Sequence, residues 1–577
     1  MRNRLACLLF ALFGCWSCGG DDGSGGGGAG GGAQCAQLPP LAILQRNCRR
    51  LQDGSPEVWA RCVGGLAQDH GNAVAVGADG SIYMGFGVGG PDAQDAAVLA
   101  SCYGISAAEV AQVMFEQTPT TAASPSDPGI AKYNSAGILE WVRTVPVNGL
   151  GGEVLSVAAL GDRIVIAGDF HGTAQFGPAQ TLGSEYTDLF VAEYDALGTL
   201  IWVKSASLMP DPERMLTHAE AESVEIDPLS GNIVVSGQFS GLLSFAPGVQ
   251  LQAQGSTDLF LAEYDPTGNV LWVDEAGGDG DASTGKDVTI EPDGSVMVIG
   301  TLAGAGDDHL LDNQGNQVVL PSFSAGVGSD MVLAHYDAAG GLLWATHAGY
   351  PNRTMTGTGV SHDASGNVYV TGAFSECAFF PRQPQLPVPA SVPVNIGPPF
   401  DPSSSSPPPC HGTGAFEALT APDGNLAEQY LAKYSELGAL LWVQVAGGPG
   451  YDAGVAVEVY HPAPGAPGFV YLGGTMRQSL DFGLPPNLQS AFAIGESAHS
   501  IAKFDLEGTL LWATSVGADG DSQLHDIALD PRDGAPVGVG DFNGSLQYPS
   551  GVLLQSVPPE VILRDDIVLW RLGPNGP

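Results

Sequence analysis

Short apolar, aromatic-rich runs separated by Asp/Asn and Gly connections recur along this chain, most fully as LFLAEYDPTGNVLW at residues 259–272. Two such runs joined through a glycine, which supplies the positive φ a tight connection needs, predict a β-hairpin. The string returns as IAKYNSAGILEW, VAEYDALGTLIW, LAEYDPTGNVLW, LAHYDAAGGLLW, LAKYSELGALLW and IAKFDLEGTLLW. Its spacing is rigid: Gly137, Gly198, Gly268, Gly340, Gly438 and Gly508 each follow Tyr or Phe by four positions and precede Trp141, Trp202, Trp272, Trp344, Trp442 or Trp512 by four. Ala131, Ala192, Ala262, Ala334, Ala432 and Ala502 share one position in the first run, which predicts close packing by a neighbouring sheet.

A second hairpin alternates with the first in seven copies, from AVAVGADGSIYMGF to DIALDPRDGAPVGVGDF. Gly168, Gly237, Gly300, Gly372, Gly474 and Gly540 end its second strand, where glycine predicts a bend or a close backbone approach. Two hairpins make four strands, and units of roughly 60 to 75 residues suit a propeller blade better than a solenoid turn. The Trp-bearing hairpin is complete only six times, but residues 566–576 fit its first half and residues 57–65, containing Trp59, fit its second. The predicted fold is therefore all-β: a seven-bladed β-propeller of four-stranded blades. Its ring is closed by N-terminal strand 57–63 completing the C-terminal blade, which removes two open sheet edges.

LAEYDPTGNVLW, followed by a Gly-rich loop and then GNVYVTG, resembles SBBP repeats, a bacterial seven-bladed propeller family, over roughly residues 56 to 577. The resemblance implies a ring of seven four-stranded blades with the tryptophan strand outermost. It carries no shared catalytic motif. Trp570 departs from the pattern, standing where six repeats have alanine, and is expected to fill space in the composite blade. The alternative, a quinoprotein-type propeller, would show eight units and an identifiable cofactor site.

Ahead of the propeller, residues 1–14 read as a lipoprotein signal, two arginines and a short apolar run before Leu12-Phe13-Gly14-Cys15. Cys15 is the expected lipidation site, with Cys18 as the competing one, and residues 15–34 would be a Gly-rich tether leading into an N-terminal segment at 35–55. An ordinary cleaved signal is the alternative. Cys35, Cys48, Cys62, Cys102, Cys377 and Cys410 form an even set in an oxidising context, and nearness favours 35 with 48, 62 with 102 and 377 with 410. Two insertions interrupt the propeller, 91–127 and 376–428. The first holds GISAAEVAQVMFEQ, which reads as helical with Ser106 and Glu109 spaced as a capping box. The second is rich in proline and serine, and such segments extend and rarely pack.

Only 14% of the 577 residues are charged, yet 62 acids face 20 bases, a net charge of −42. That field repels phosphate backbones and argues against nucleic-acid partners. Asp69, Asp281, Asp452 and Asp521 follow their tryptophans by nine or ten residues and could ring a channel mouth to attract Ca²⁺; the competing role is to accept backbone N–H bonds within their own loops. No firm metal site and no other cofactor is predicted, because HExxH, GxSxG and P-loop motifs are missing. His70, His218 and His525 fall in the same class of loop on different blades. The functional expectation is an exported, lipid-anchored scaffold at the bacterial cell envelope, on the outer membrane or cell surface. It would contact a protein, glycan or small ligand and meet the membrane through its N-terminal lipid. A secreted or surface hydrolase or lyase acting on a polysaccharide is the alternative, and a mainly structural surface protein a third. Two or more desolvated carboxylates with a basic residue at the mouth would favour the enzyme; a shallow, uniformly acidic mouth would favour binding.

Overall fold

A computed structural model of the chain describes Arg49–Arg50 and residues 58–576, apart from all or most of 91–110, 210–217, 279–282, 304–306, 324–327, 385–415, 422–426, 463–465, 483–496 and 548–564 and a few single positions. Cys15, Cys18, Cys35, Cys48, Cys102 and Asp281 lie outside the described residues. Among the described residues every regular element is a β-strand, and seven sheets contain four or more strands in antiparallel pairing. The first strands of these sheets are Asp69–Val76, Val147–Leu160, Ala219–Ile226, Thr284–Ile290, Met355–His362, Ala453–Tyr460 and Ser522–Leu529. Each pairs with the strand that follows it. The Trp-bearing hairpin then supplies strands three and four, as Asp258–Tyr264 paired with Val270–Gly277 does in the third sheet.

Local chemistry explains these hairpins. At the third-sheet turn, Asp265 Oδ1 accepts the N–H groups of Thr267 and Asn269 at 2.8 and 3.0 Å, and Gly268 sits at φ 80°. The register then slips by one residue, leaving Leu271 unpaired between Val270 and Trp272. Conformation is only half the reason for the glycine. A Cβ on Gly268 would lie 2.8 Å from the Trp202 ring of the preceding sheet. The same stacking joins Trp59 to Gly137, Trp141 to Gly198, Trp272 to Gly340, Trp344 to Gly438, Trp442 to Gly508 and Trp512 to Gly576. Each tryptophan therefore caps the turn of the next hairpin, and the indole N–H of Trp59, Trp141 and Trp344 donates to carbonyls in those turns at 3.1 to 3.2 Å.

The glycine ending strand two has a different cause. Every first strand carries a bulge near its start, for example at Glu222 between Ala221 and Ser223. The bulge pushes a carbonyl against the neighbouring strand, and a Cβ on Gly237 would meet Glu220 O at 2.0 Å. Gly168, Gly300, Gly372 and Gly540 face opposing carbonyls at 1.9 to 2.1 Å in the same way. This is the close backbone approach that the sequence predicts.

The sheet begun by Ser522–Leu529 takes its last core strand from the far end of the chain. Trp59–Gly64 runs antiparallel to Asp566–Arg571, with Trp59 opposite Arg571 and Val63 opposite Ile567. First strands of successive sheets pack side by side, and Ser522–Leu529 packs against Asp69–Val76. Trp570 is fully buried and faces Gly538, whereas the third sheet pairs Ala262 with Val235 at that place. The large residue is accommodated because its partner has shrunk: a Cβ on Gly538 would be 2.1 Å from the Trp570 ring.

Three expectations need correction. Gln112–Phe115 is a strand, not part of a helix; it pairs with Val63 and Gly64 and buries Val113 and Phe115. The open edge of the Trp59 strand offers N–H and C=O groups that a helix would leave unpaired. Nor is the tryptophan strand outermost throughout. Hairpins at 112–121, 242–252, 307–321 and 545–555 each leave from between strands two and three of one sheet and extend the edge of the preceding one. Finally, the ends of the proline-rich insertion are packed: Cys377–Pro381 pairs with Phe416–Thr420 and buries Phe379 and Phe380. Cys377 and Cys410 form a disulfide across 33 residues, and Cys62 is also disulfide-bonded.

Candidate functional site

The first strands of all seven sheets line a channel of about 660 Å³. The unpaired bulge residue of every first strand contributes to its wall: Asn72, Leu155, Glu222, Lys286, Thr358, Val455 and His525. This position has one backbone geometry and seven different side chains. Repetition makes the scaffold there, and variation furnishes the chemistry.

At the end where the first strands begin, the channel meets a cavity of about 400 Å³ that shares Leu155 and Glu222 with it. Glu153, Asp169, Glu220, Glu222 and His171 line this mouth, with the exposed Leu150 on its rim. Burial, and then the Glu220, Glu153 and Glu222 carboxylates, push Asp169 well above the usual carboxylate range. Glu153 is held by Asn72 Nδ2 at 2.8 Å and Ser126 Oγ at 3.2 Å, Glu220 by Gln238 Nε2 at 2.5 Å, and Glu222 by Lys286 Nζ at 2.5 Å.

Deeper in the channel, Asp526 and Glu225 are both pushed up to about 8 and Asp287 to about 6, in each case mainly by burial. Glu458 is also raised, by burial and by those three carboxylates. Asp526 accepts the Val74 N–H at 2.8 Å, Asp287 the Val360 N–H at 2.8 Å and Glu225 the Ile290 N–H at 2.7 Å. Each bond crosses from one sheet's first strand to the next. Beside Asp526, Asp541 Oδ2 lies 2.8 Å from His70 Nδ1 and 3.0 Å from His525 Nε2, while its Oδ1 accepts the Gly71 N–H at 2.9 Å. Burial alone would lower His70, but the Asp541 contact outweighs it and holds the imidazole at about 9. The two histidines in turn keep Asp541 well below the carboxylate range, against its burial.

Of the described candidate cation ligands, Asp69 accepts the backbone N–H groups of Gly65 at 2.8 Å and Gly89 at 3.1 Å, Asp452 that of Arg477 at 3.0 Å, and Asp521 the Ser497 hydroxyl. Among the described residues no group of three or more His, Cys, Asp or Glu side chains is placed to hold a metal ion. His218 is apart from the His70 and His525 cluster, its N–H donating to Ser240 Oγ at 2.9 Å. Residue-type motifs did not reveal Glu153, Asp169, Glu220, Glu222, Lys286 or Asp541. A signal existed for a second set, the acid six residues before the tyrosine: Asp127, Asp188, Asp258, Asp330 and Glu428 are all buried and accept backbone N–H groups, as Asp188 does from Leu208 at 3.0 Å.

Residues 343–373 match the family described as SBBP, beta-propeller repeat. Over 480 residues the chain is 23% identical to "Uncharacterized WD repeat-containing protein L264" of Acanthamoeba polyphaga mimivirus, covering 72% of this chain and 31% of that protein. The chain thus spans less than a third of this relative's length. A structure titled "Crystal Structure of TcdB2-TccC3 without hypervariable C-terminal region" aligns with a TM-score of 0.07 at 10% identity, over 78% of this chain and 23% of that one, which carries no argument. Repeats of β-propeller type are what the two sequence matches have in common.

Proposed function

We propose that this chain is a closed, seven-bladed β-propeller acting as a binding scaffold at the bacterial cell envelope, exported and anchored through lipid on Cys15, with Cys18 as the other acceptor. Seven sheets, the pairing of residues 59–63 with 567–571 and the packing of the last first strand on the first support the closed ring. A ligand site at the mouth is supported by one observation above the rest: seven geometrically equivalent bulge residues, no two the same, line a channel that opens into the Glu153–Asp169–Glu220 cavity. A protein, glycan or small ligand entering there would be selected by this ring. Ca²⁺ at the mouth rests on the acids alone.

One feature favours the polysaccharide-acting enzyme as a second reading. Burial and the neighbouring Glu220 and Glu153 carboxylates raise the proton affinity of Asp169, with Lys286 in the adjoining channel wall, and a carboxyl raised in this way among other carboxylates is the general-acid arrangement by which glycosidic bonds are cleaved. Soluble envelope and cell-wall polysaccharide fragments, tested by calorimetry and for chain cleavage, separate the two. Binding without cleavage that is weakened by Glu222→Gln supports the scaffold; cleavage abolished by Asp169→Asn replaces it with the enzyme; neither would remove the mouth as a glycan site. Intact mass of the native protein from membrane fractions tests the anchor, and a soluble species without acyl chains would sink it.

A further inference from the structure

We propose that His70, Asp541 and His525 form a pH-operated latch across the junction of the first and seventh sheets, closed in neutral and mildly acid solution and released in alkali. Asp541 comes from Pro536–Phe542 and His525 from Ser522–Leu529, both in the seventh sheet; His70 and Gly71 come from Asp69–Val76 in the first. One carboxylate therefore holds two imidazoles and a backbone N–H at 2.8, 3.0 and 2.9 Å, bridging the two sheets nearest the chain's ends.

Other junctions use hydroxyls, or carboxylates that remain acceptors after losing their protons: Asp287, pushed up to about 6, accepts the Val360 N–H, and Glu225, pushed up to about 8, the Ile290 N–H. Ser156 Oγ accepts the Val224 N–H at 3.0 Å, Ser361 Oγ the Val459 N–H at 3.2 Å and Thr475 Oγ1 the Leu524 N–H at 3.1 Å. The ion pair of Lys286 and Glu222 at the third junction persists to higher pH, because lysine keeps its proton there.

The surroundings make release follow from proton loss. Glu153 from the second sheet, Asp565 ahead of the last strand, and Asp69 and Asp526 beside the two histidines face the latch, while the buried His499 near His525 is held neutral, down at about 4. When both imidazoliums give their protons to water, Asp541 is left as a buried anion among carboxylates. Both histidines bind their protons more tightly folded than unfolded. Their stabilisation is complete below about pH 6.5 and drains as the pH rises through the folded values.

The test is thermal melting of the full chain from pH 6 to 10, with hydrogen exchange read at each first strand and corrected for intrinsic rates. Wild type should lose about 2 °C between pH 8 and 10, with 69–76 and 522–529 gaining exchange before 355–362. Asp541→Asn should melt lower at pH 6 and lose that slope. Should Asp541→Asn not fold, His525→Gln supplies the readout with a slope roughly halved. An unchanged slope in the variant, or exchange rising at every first strand together, would overturn the latch.

Discussion

The outer and inner layers of these sheets hold neighbours together by opposite means. Outside, one device is used seven times: a tryptophan lies on the turn glycine of the next hairpin. Inside, the devices vary from junction to junction, although some recur, as Asp287 with the Val360 N–H and Asp526 with the Val74 N–H do. Hydroxyls serve at some, the Glu222–Lys286 pair and the Asp526, Asp287 and Glu225 carboxylates at others, and the histidine cluster where the first sheet meets the seventh. The outer layer is apolar, tolerates only one solution at each site and has been copied. The inner layer faces a water-accessible channel, where many side chains satisfy the same backbone, so residues there are free to differ. Difference within a fixed frame is what a recognition surface requires.

The most severe test of the outer layer is Trp59→Asp. It places an unpaired charge in a site where the native side chain is 2% exposed and removes the cap from Gly137, so a loss of at least about 4 kcal/mol is expected in urea unfolding. An unshifted midpoint would break the claim that residues 59–64 are integral to the seventh sheet. Gly340→Val comes next, at about 3 kcal/mol, since it sets a β-branched residue at φ 80° against the Trp272 ring. Removing the Cys377–Cys410 cross-link by Cys410→Ser should cost about 2 to 3 kcal/mol under non-reducing conditions, somewhat below the chain-entropy value of about 3 to 4 for a loop of this span. A null result there would show that the strand pair at 377–381 and 416–420 needs no covalent closure.

In the inner layer the effects shrink and become pH-dependent. The folded state binds the Glu225 proton more tightly than the unfolded chain, so this group weakens the fold as pH rises from about 4.3 through about 8. Glu225→Gln should therefore be neutral at pH 5 and stabilising by about 1 kcal/mol at pH 8.5, read from melting at both values. Stabilisation at pH 5 instead would show that steric fit, not the proton, is responsible. Smallest of all, Val455→Thr at the bulge ring should change stability by no more than about 0.5 kcal/mol. It should nevertheless alter ligand preference if the ring is the selecting surface.

How much of this was legible depends on whether a residue's partner repeats. The hairpins were, since the Tyr, Gly and Trp spacing recurs and each turn is closed by its own Asp, Asn or Ser. The N-terminal strand's place was, because Trp59 completes the count. The extra hairpins were hidden: their strands are short, and what makes Gln112–Phe115 extended is the edge at Val63 and Gly64, some fifty residues away. Trp570 was visible as an anomaly, but Gly538, which makes room for it, looked like any strand glycine.

The mouth stayed hidden for a related reason. Glu153, Glu220 and Glu222 lie on adjacent strands of different units, Asp169 on a second strand, and Asp541 some 470 residues from the histidine it binds. By itself the sequence determined the repeated β-hairpins and the tryptophan-to-glycine rhythm, because those depend on local turns and on contacts that every unit makes with its neighbour. The tertiary structure alone decided which carboxylates share a cavity, which bind their protons more tightly than usual and which side chains face the channel. Those properties follow from burial and from charges brought together by packing, and no spacing along the chain encodes either.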